Sequence, residues 1–345
     1  MTRRRLIISW FSSETLSQQF ELCGVNESSF VAVLTDDLSS DSLKSKAQSG
    51  LELLGCKYDF FNIQWDQKNT ILTNLQSEGI SNGLSQADLV INLAMNFSDE
   101  IIQQSLLAEK LLLSISDSRF EPYSHSVTSA GIIQRSNRIK ALLPNTEVIS
   151  VLSETGTNLQ FATENLVSRS HIGVPRETGL NTKWPSGSVE LFPFIEKLDG
   201  EIVLMPGDIV DNAVHIVKSP VVFQIRGGNI VDIAGESSEV NLLKAQLESF
   251  ADRDRAYSIK SLDIGLLFFR DDLFSGPFDP EKTLAINRYL RGGWVTITSG
   301  SETSDSLSVT LTAANVAFDN VEILVGGNFA ATLEPDMYEL ALMGL

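Results

Sequence analysis

Over the first part of the chain, short apolar runs alternate with stretches of helical pattern. Leu6–Trp10 reads as a strand, and Phe30–Leu34 as a second that ends in Thr35-Asp36-Asp37. Those polar residues suit the cap of a helix over Ser42–Leu54, and Gly55 stands where a C-terminal cap glycine belongs. Lys57–Ile63, Ala87–Leu93 and Leu111–Ile115 read as further strands, with helices over Ile71–Glu78 and Ile101–Lys110. Strands separated by helices of this length imply βαβ units, right-handed crossovers and a mostly parallel sheet. Ligands of such sheets sit beyond the strand carboxyl ends, where this chain carries Asp36, Asp37, Asn92, Asn96 and Asp117. Asp and Asn are equally the residues of turns and caps.

After Pro144 the texture changes. Glu147–Leu152 and Leu159–Ala162 read as strands around the turn 154–158, and Val189–Phe194 alternates. Leu198-Asp199-Gly200-Glu201 reads as a turn into Ile202–Met205. Val221–Ile225, the turn Arg226-Gly227-Gly228-Asn229 and Ile230–Ile233 form a hairpin whose glycines supply the positive φ it needs. A helix over Val240–Phe250 follows, then strands at Trp294–Thr298, Leu307–Leu311 and Val321–Val325, the last before a Gly326-Gly327 turn.

Bulk properties narrow the function. A chain of 345 residues, 43% hydrophobic and 20% charged, suffices for two packed domains. Lys plus Arg number 26 against 44 for Asp plus Glu, giving −18, so phosphate backbones and anionic lipid are repelled at long range. Nucleic acid and membrane are therefore not expected partners. Arg3-Arg4-Arg5 reads as a strand flank, and Arg253, Arg255 and Lys260 are diluted by Asp252 and Asp254. Cys23 and Cys56 fit no ligand or redox spacing and suit a reducing compartment. The apolar run Leu6–Phe11 is too short for a signal-peptide core, and no run approaches the roughly 18 apolar residues of a membrane helix. The expected location is cytoplasmic. Neither G-x-G-x-x-G nor a P-loop is present, so a nucleotide site is not supported.

Candidate chemistry is sparse. His125, His171 and His215 share no metal-ligand spacing. Ser124-His125-Ser126 with Asp117 lacks the G-x-S-x-G frame of a nucleophilic serine. Arg288, Arg291 and Trp294 are suited to a carboxylate or peptide ligand, or to a helix end before a Gly-Gly turn.

The second half carries a family resemblance. Glu154–Phe161, Trp184–Val189, Leu198–Val203, Ser219–Gly235, Leu262–Gly265, Gly293–Gly300 and Ser308–Thr312 resemble, in order and spacing, motifs of the aminopeptidase T and dihydroxypyridine dioxygenase superfamily. Phe30–Asp37, Gly55–Lys57 and Ala87–Ile91 are similar to its first domain. The resemblance implies an α/β chain with a Rossmann-like, parallel-sheet domain over 1–145 and a strand-rich α+β domain of aminopeptidase T-like type over 146–345. It also implies divalent metal: two ions in the aminopeptidases, or one Fe(II) held by two His and one Asp in the dioxygenases.

Carried over residue by residue, the two Glu ligands fall at Ser188 and near Ser261, the first His at Thr296, and the His-x-Asp pair at Thr310 and Thr312. Neutral hydroxyls do not offset the stripping of water from a dication. A slip of register brings Glu190 and Asp263 within reach, but no histidine follows His215. No metal and no cofactor is expected. The first reading is a catalytically degenerate protein that binds a peptide or pathway intermediate in an interdomain cleft and presents it to a partner enzyme. Its ligand-binding candidates are Ser188, Ser261, Thr296, Thr310, Thr312, Arg288 and Trp294. The alternatives are a metal-independent hydrolase or lyase using Glu190 and Asp263, and a metal-dependent aminopeptidase or ring-cleaving dioxygenase. A homodimer is implied by the resemblance, with Tyr338–Leu345 either at its interface or an ordinary terminal helix.

Overall fold

The computed structural model describes residues 12–63, 68–94, 102, 105–115, 128–193, 197–210, 215–250, 252–267, 292–300, 306–335 and 337–342. Leu6–Trp10, Asn96, Asp117, Ser124–Ser126, Arg288 and Arg291 lie outside them. The chain divides into two compact units, Met1–Ser129 with His171–Ser186 and Ala130–Ser170 with Gly187–Leu345. A single boundary at 145 differs from this interleaving in two places. The helix before it packs with the second unit, and 171–186 returns to the first unit to add a strand.

In chain order the first elements are α1 (Ser13–Leu22), β1 (Phe30–Thr35), α2 (Asp41–Leu54), β2 (Lys57–Asn62), α3 (Lys68–Leu75), α4 (Glu78–Gln86), β3 (Leu89–Asn92) and β4 (Leu112–Ile115). Next come α5 (Ala130–Leu142), β5 (Val148–Leu152), β6 (Asn158–Ala162), β7 (Val167–His171), β8 (Asn181–Trp184), β9 (Ser188–Phe192), β10 (Asp199–Leu204), β11 (Ile209–Val210) and β12 (His215–Ile216). The remainder are β13 (Val221–Arg226), β14 (Asn229–Gly235), α6 (Ser237–Ser249), α7 (Arg253–Ala256), β15 (Ile259–Gly265), β16 (Val295–Gly300), β17 (Ser306–Leu311), β18 (Asn315–Phe318), β19 (Val321–Val325), β20 (Asn328–Phe329) and α8 (Met337–Leu342). None of the described helices is long and apolar enough to cross a membrane.

The first unit is built on sheet A, a parallel sheet of order β2-β1-β3-β4-β8. Its central strands β1 and β3 are apolar on both faces because helices cover both. Val31, Val33, Ile91 and Leu113 pack with Leu16 and Phe20 of α1 and Leu43 and Leu51 of α2. Ala32, Leu34, Val90 and Leu112 pack instead with Leu75 of α3 and Leu84 of α4. The period of two along each strand thus feeds two cores. Ser40, not the earlier Asp residues, caps α2 by accepting from Leu43 N, while Gly55 closes it at φ 66° as expected. The helix expected over Ile71–Glu78 is two helices, broken where the Ser77 hydroxyl turns back to Asn74 O. The stretch Ile101–Lys110 carries a 3-10 turn over Leu106–Glu109, capped by Ser105. Burial pushes the Cys23 thiol up to about 12 and raises that of Cys56, which disfavours the thiolate form of each.

The second unit contains sheet B, of order β14-β13-β10-β6-β5-β18-β19-β20, and sheet C, of order β12-β11-β17-β16-β15-β9-β7. Ile202, Phe223 and Ile230 of sheet B meet Ile259, Ile297, Leu307 and Val309 of sheet C around one small cavity, so the two sheets face each other through their apolar sides. Three of the four residues of the turn expected at 198–201 lie inside β10 instead, where Gly200 leaves room for the Asn158 carbonyl that any Cβ would strike. The β13–β14 hairpin forms as expected around Gly227 and Gly228, at φ 51° and 72°.

Candidate functional site

The other side of sheet C is polar, and cross-strand register assembles it. Glu190 of β9 stands opposite Asp263 of β15, Asp263 opposite Thr296 of β16, and Thr296 opposite Thr310 of β17. Residues directly opposed in an antiparallel sheet share a face, so these four form one row. The Thr296 and Thr310 hydroxyls lie 2.6 Å apart, and Thr310 is fully buried. One rung towards one end, Ser188 is paired with Gly265, and its hydroxyl donates to Asp263 Oδ1 at 3.0 Å. Here the Trp294 indole lies where a Cβ on Gly265 would project, walling that end. One rung the other way, Ser261 is opposite Thr298, whose hydroxyl lies 3.1 Å from Ser308 Oγ.

Phe192 ends the same face of β9. Arg169 of β7 lies 5.2 Å from its ring centroid, and Lys260 Nζ of β15 lies 5.9 Å from it. Thr312, past the end of β17, donates its backbone N–H and its hydroxyl to Asp208 Oδ1, both at 3.0 Å. The structure thus brings Glu190, Asp263, Ser188, Ser261, Thr296, Thr310, Thr312 and Trp294 to one face and edge of sheet C. Arg288 lies outside the described residues. Sequence reasoning missed Thr298, Ser308, Asp208, Arg169, Lys260 and Phe192. The alternation Thr296-x-Thr298 and Ser306-x-Ser308-x-Thr310-x-Thr312 was the available signal, a hydroxyl at every second strand position.

The histidines are elsewhere. His171 is buried in β7 at the start of the segment that returns to the first unit. His215 Nε2 lies 2.6 Å from Glu239 Oε2. Burial pushes the Glu239 carboxyl up, but the His215 contact and the Lys218 and Ser219 N–H groups outweigh it and hold the carboxyl below its usual range. His125 lies outside the described residues.

A family model described as 2,5-dihydroxypyridine 5,6-dioxygenase (NicX) matches residues 12–267. The chain belongs to this family. Its fold is similar to that of 2,5-dihydroxypyridine dioxygenase from Pseudomonas putida KT2440, at TM-score 0.77 and 19% identity over 92% of this chain and 96% of that one. It is also similar to AmpT from Thermus thermophilus, at TM-score 0.53 and 9% identity over 92% and 99%. No curated protein matches the chain. The fold is therefore the α/β, aminopeptidase T-like architecture that the motifs implied.

The resemblance assigns a metal to the polar face, and the donors there do not fit one. An iron site of this type needs two imidazoles and a carboxylate. At the corresponding positions stand Thr296 and Thr310, hydrogen-bonded to each other, and Thr312, committed to Asp208. Among the described residues no group of three or more His, Cys, Asp or Glu is placed to hold a metal ion.

Proposed function

We propose that this family member binds a small organic molecule or peptide on the polar face of sheet C without a metal ion, in the cytoplasm, and hands it to a partner enzyme. The observation that carries the reading is the Thr296–Thr310 contact of 2.6 Å at two buried positions that the resemblance assigns to metal ligands. One hydroxyl donates to the other in a dry setting, and the proton of the accepting hydroxyl is left to point to a further acceptor. Binding needs shape and a few placed polar groups, and the row supplies these. Elemental mass spectrometry tests the reading, after incubation with Fe(II), Zn(II), Mn(II) or Co(II) and desalting. No stoichiometric retention is expected. Near-stoichiometric retention of any of these ions overturns the reading and points to peptide hydrolysis or ring cleavage.

One observation favours a second reading, a metal-independent enzyme. Glu190 and Asp263 stand directly opposite each other, and Ser188 donates to only one of them. Two carboxylates in unequal settings are able to divide the acid and base roles. If turnover of any substrate is found, Glu190→Gln and Asp263→Asn are each expected to lower kcat by about a hundredfold or more. Full activity in both variants ends this assignment.

A further inference from the structure

The end of the polar face around Phe192 has a character of its own. In a chain of net charge −18, two cations from the strands on either side of β9 converge on one ring, Arg169 at 5.2 Å and Lys260 at 5.9 Å. Their attraction to the ring is modest, and their repulsion of each other opposes it. The register shift between Ile259 and Ser261 places Lys260 there, because it inserts one extra residue into β15 and turns it towards Phe192.

An independent observation comes from the next residue. Ser261 is 1% exposed, and its hydroxyl has no hydrogen-bond partner among the described residues. The neighbouring hydroxyls on this face, Thr298 with Ser308 and Thr296 with Thr310, are all paired. A buried hydroxyl left over next to Lys260 in β15 is a donor waiting for an acceptor.

We propose that Arg169, Lys260 and Ser261 form a subsite for the carboxylate of a small organic acid, seated beside the Phe192 ring. The inference rests on the reading that this face of sheet C is the ligand site, and it names the ligand class. The half-buried Lys260 ammonium takes one carboxylate oxygen, and the Ser261 hydroxyl donates to the second. One rung further, about 7 Å along the strands, Glu190 and Asp263 repel a second negative charge and accept from a donor group. The ligand is therefore a monocarboxylate carrying a hydrogen-bond donor at its far end. Trp294 bounds its length at the opposite end of the strip.

The test is isothermal titration of the full chain at low salt with 4-aminobenzoate, which carries both groups, and with 4-aminobenzamide, its uncharged counterpart. Saturable binding of the acid is expected, with the amide bound about tenfold more weakly or worse. Arg169→Gln and Lys260→Gln are each expected to weaken the acid about tenfold, and Ser261→Ala about fivefold. Lys197→Gln removes the same charge from an exposed pair with Glu164 and is expected to change the affinity by less than about twofold. Ser261→Ala without ligand is expected to keep or slightly raise Tm, because it removes a buried unpaired hydroxyl. The proposal is overturned by no saturable binding at millimolar acid, by equal affinity for acid and amide, or by wild-type affinity in both Gln variants. A fall in Tm with unchanged affinity in Ser261→Ala overturns the role of that hydroxyl. Metal retention in the elemental assay defeats the metal-free reading and leaves this result standing. Loss of the charge dependence here defeats the subsite alone.

Discussion

The carboxyl end of sheet A and the polar face of sheet C use the same residue types in opposite ways. Past β1, Asp36 Oδ1 accepts from Leu38 N at 3.1 Å. Ser39 Oγ accepts from Asp36 N at 2.9 Å and lies 3.0 Å from Leu93 O, tying the loops after β1 and β3 together. Asn92 Oδ1 takes Ala94 N, and its amide donates to Ser114 Oγ, which reaches Asn181. There the side chains mostly complete the backbone of the loops they begin, which is ordinary turn chemistry. On sheet C the partners are side chains of other strands: Ser188 with Asp263, Thr296 with Thr310, Thr298 with Ser308. The position favoured by the general rule for open α/β sheets is thus occupied by structural bonds, while the candidate site lies on an antiparallel face of the other unit.

The two regions also differ in what anchors them, and Arg135 is where that difference is most severely tested. In the first unit the buried anchor is neutral: Gln19 donates to Gly173 O at 2.7 Å and accepts from Thr128 N at 2.9 Å. In the second it is ionic. Arg135 of α5 is 1% exposed. It donates to both Glu339 oxygens, at 2.6 and 2.7 Å, and through Nε to Leu266 O at 3.1 Å, just past the rung that pairs Ser188 with Gly265. Gly131, one turn earlier on α5, has no Cβ to strike the Glu339 carboxylate. Arg135→Met strands that carboxylate in the interior and is expected to cost about 3–5 kcal/mol, measured by urea denaturation. Arg135→Met with Glu339→Leu is expected to recover most of the loss, since no charge is left unpaired. A single-variant loss below about 1 kcal/mol would mean that the pair behaves as a surface contact and that the contrast in anchors does not hold.

How much of this was legible beforehand follows the range of the signals. Sheet A was readable because each strand and helix announces itself within a short window, Phe30–Thr35 by continuous apolarity and α2 by its capping glycine. The Gly227-Gly228 turn was readable for the same local reason. Gly200 misled, because a glycine inside a strand marks a close backbone approach as well as a turn, and only the Asn158 contact tells which. The division into units was not local at all: nothing near residue 171 says that its successors pair with β4. The row from Glu190 to Thr310 depends on register across four strands, which a period of two allows but does not fix. Family motifs pointed to β9, β15, β16 and β17. They missed Arg169 and Lys260, which register and a bulge bring to Phe192 from beyond the motif positions.

The finest test of the contrast is a paired substitution at Thr296 and Thr310. Valine matches threonine in shape, so either single change leaves the other hydroxyl buried without its 2.6 Å partner. Thr296→Val alone is expected to cost about 1–2 kcal/mol, the penalty of one stranded buried hydroxyl. Thr296→Val with Thr310→Val removes both groups together and is expected to return close to wild-type stability, since the hydroxyls satisfy only each other and no backbone group depends on them in the contacts described. Loop-completing residues such as Asp36 and Ser39 lack this escape, because removing both still leaves the N–H groups of Asp36 and Leu38 without their acceptors. Thermal denaturation of the two single variants and the double variant measures the coupling directly. Recovery in the double variant, together with loss of ligand affinity, would separate the role of the pair in binding from any role in folding. Additive losses instead would show that each threonine supports the sheet on its own, and the polar face of sheet C would then be structural in the same sense as the end of sheet A.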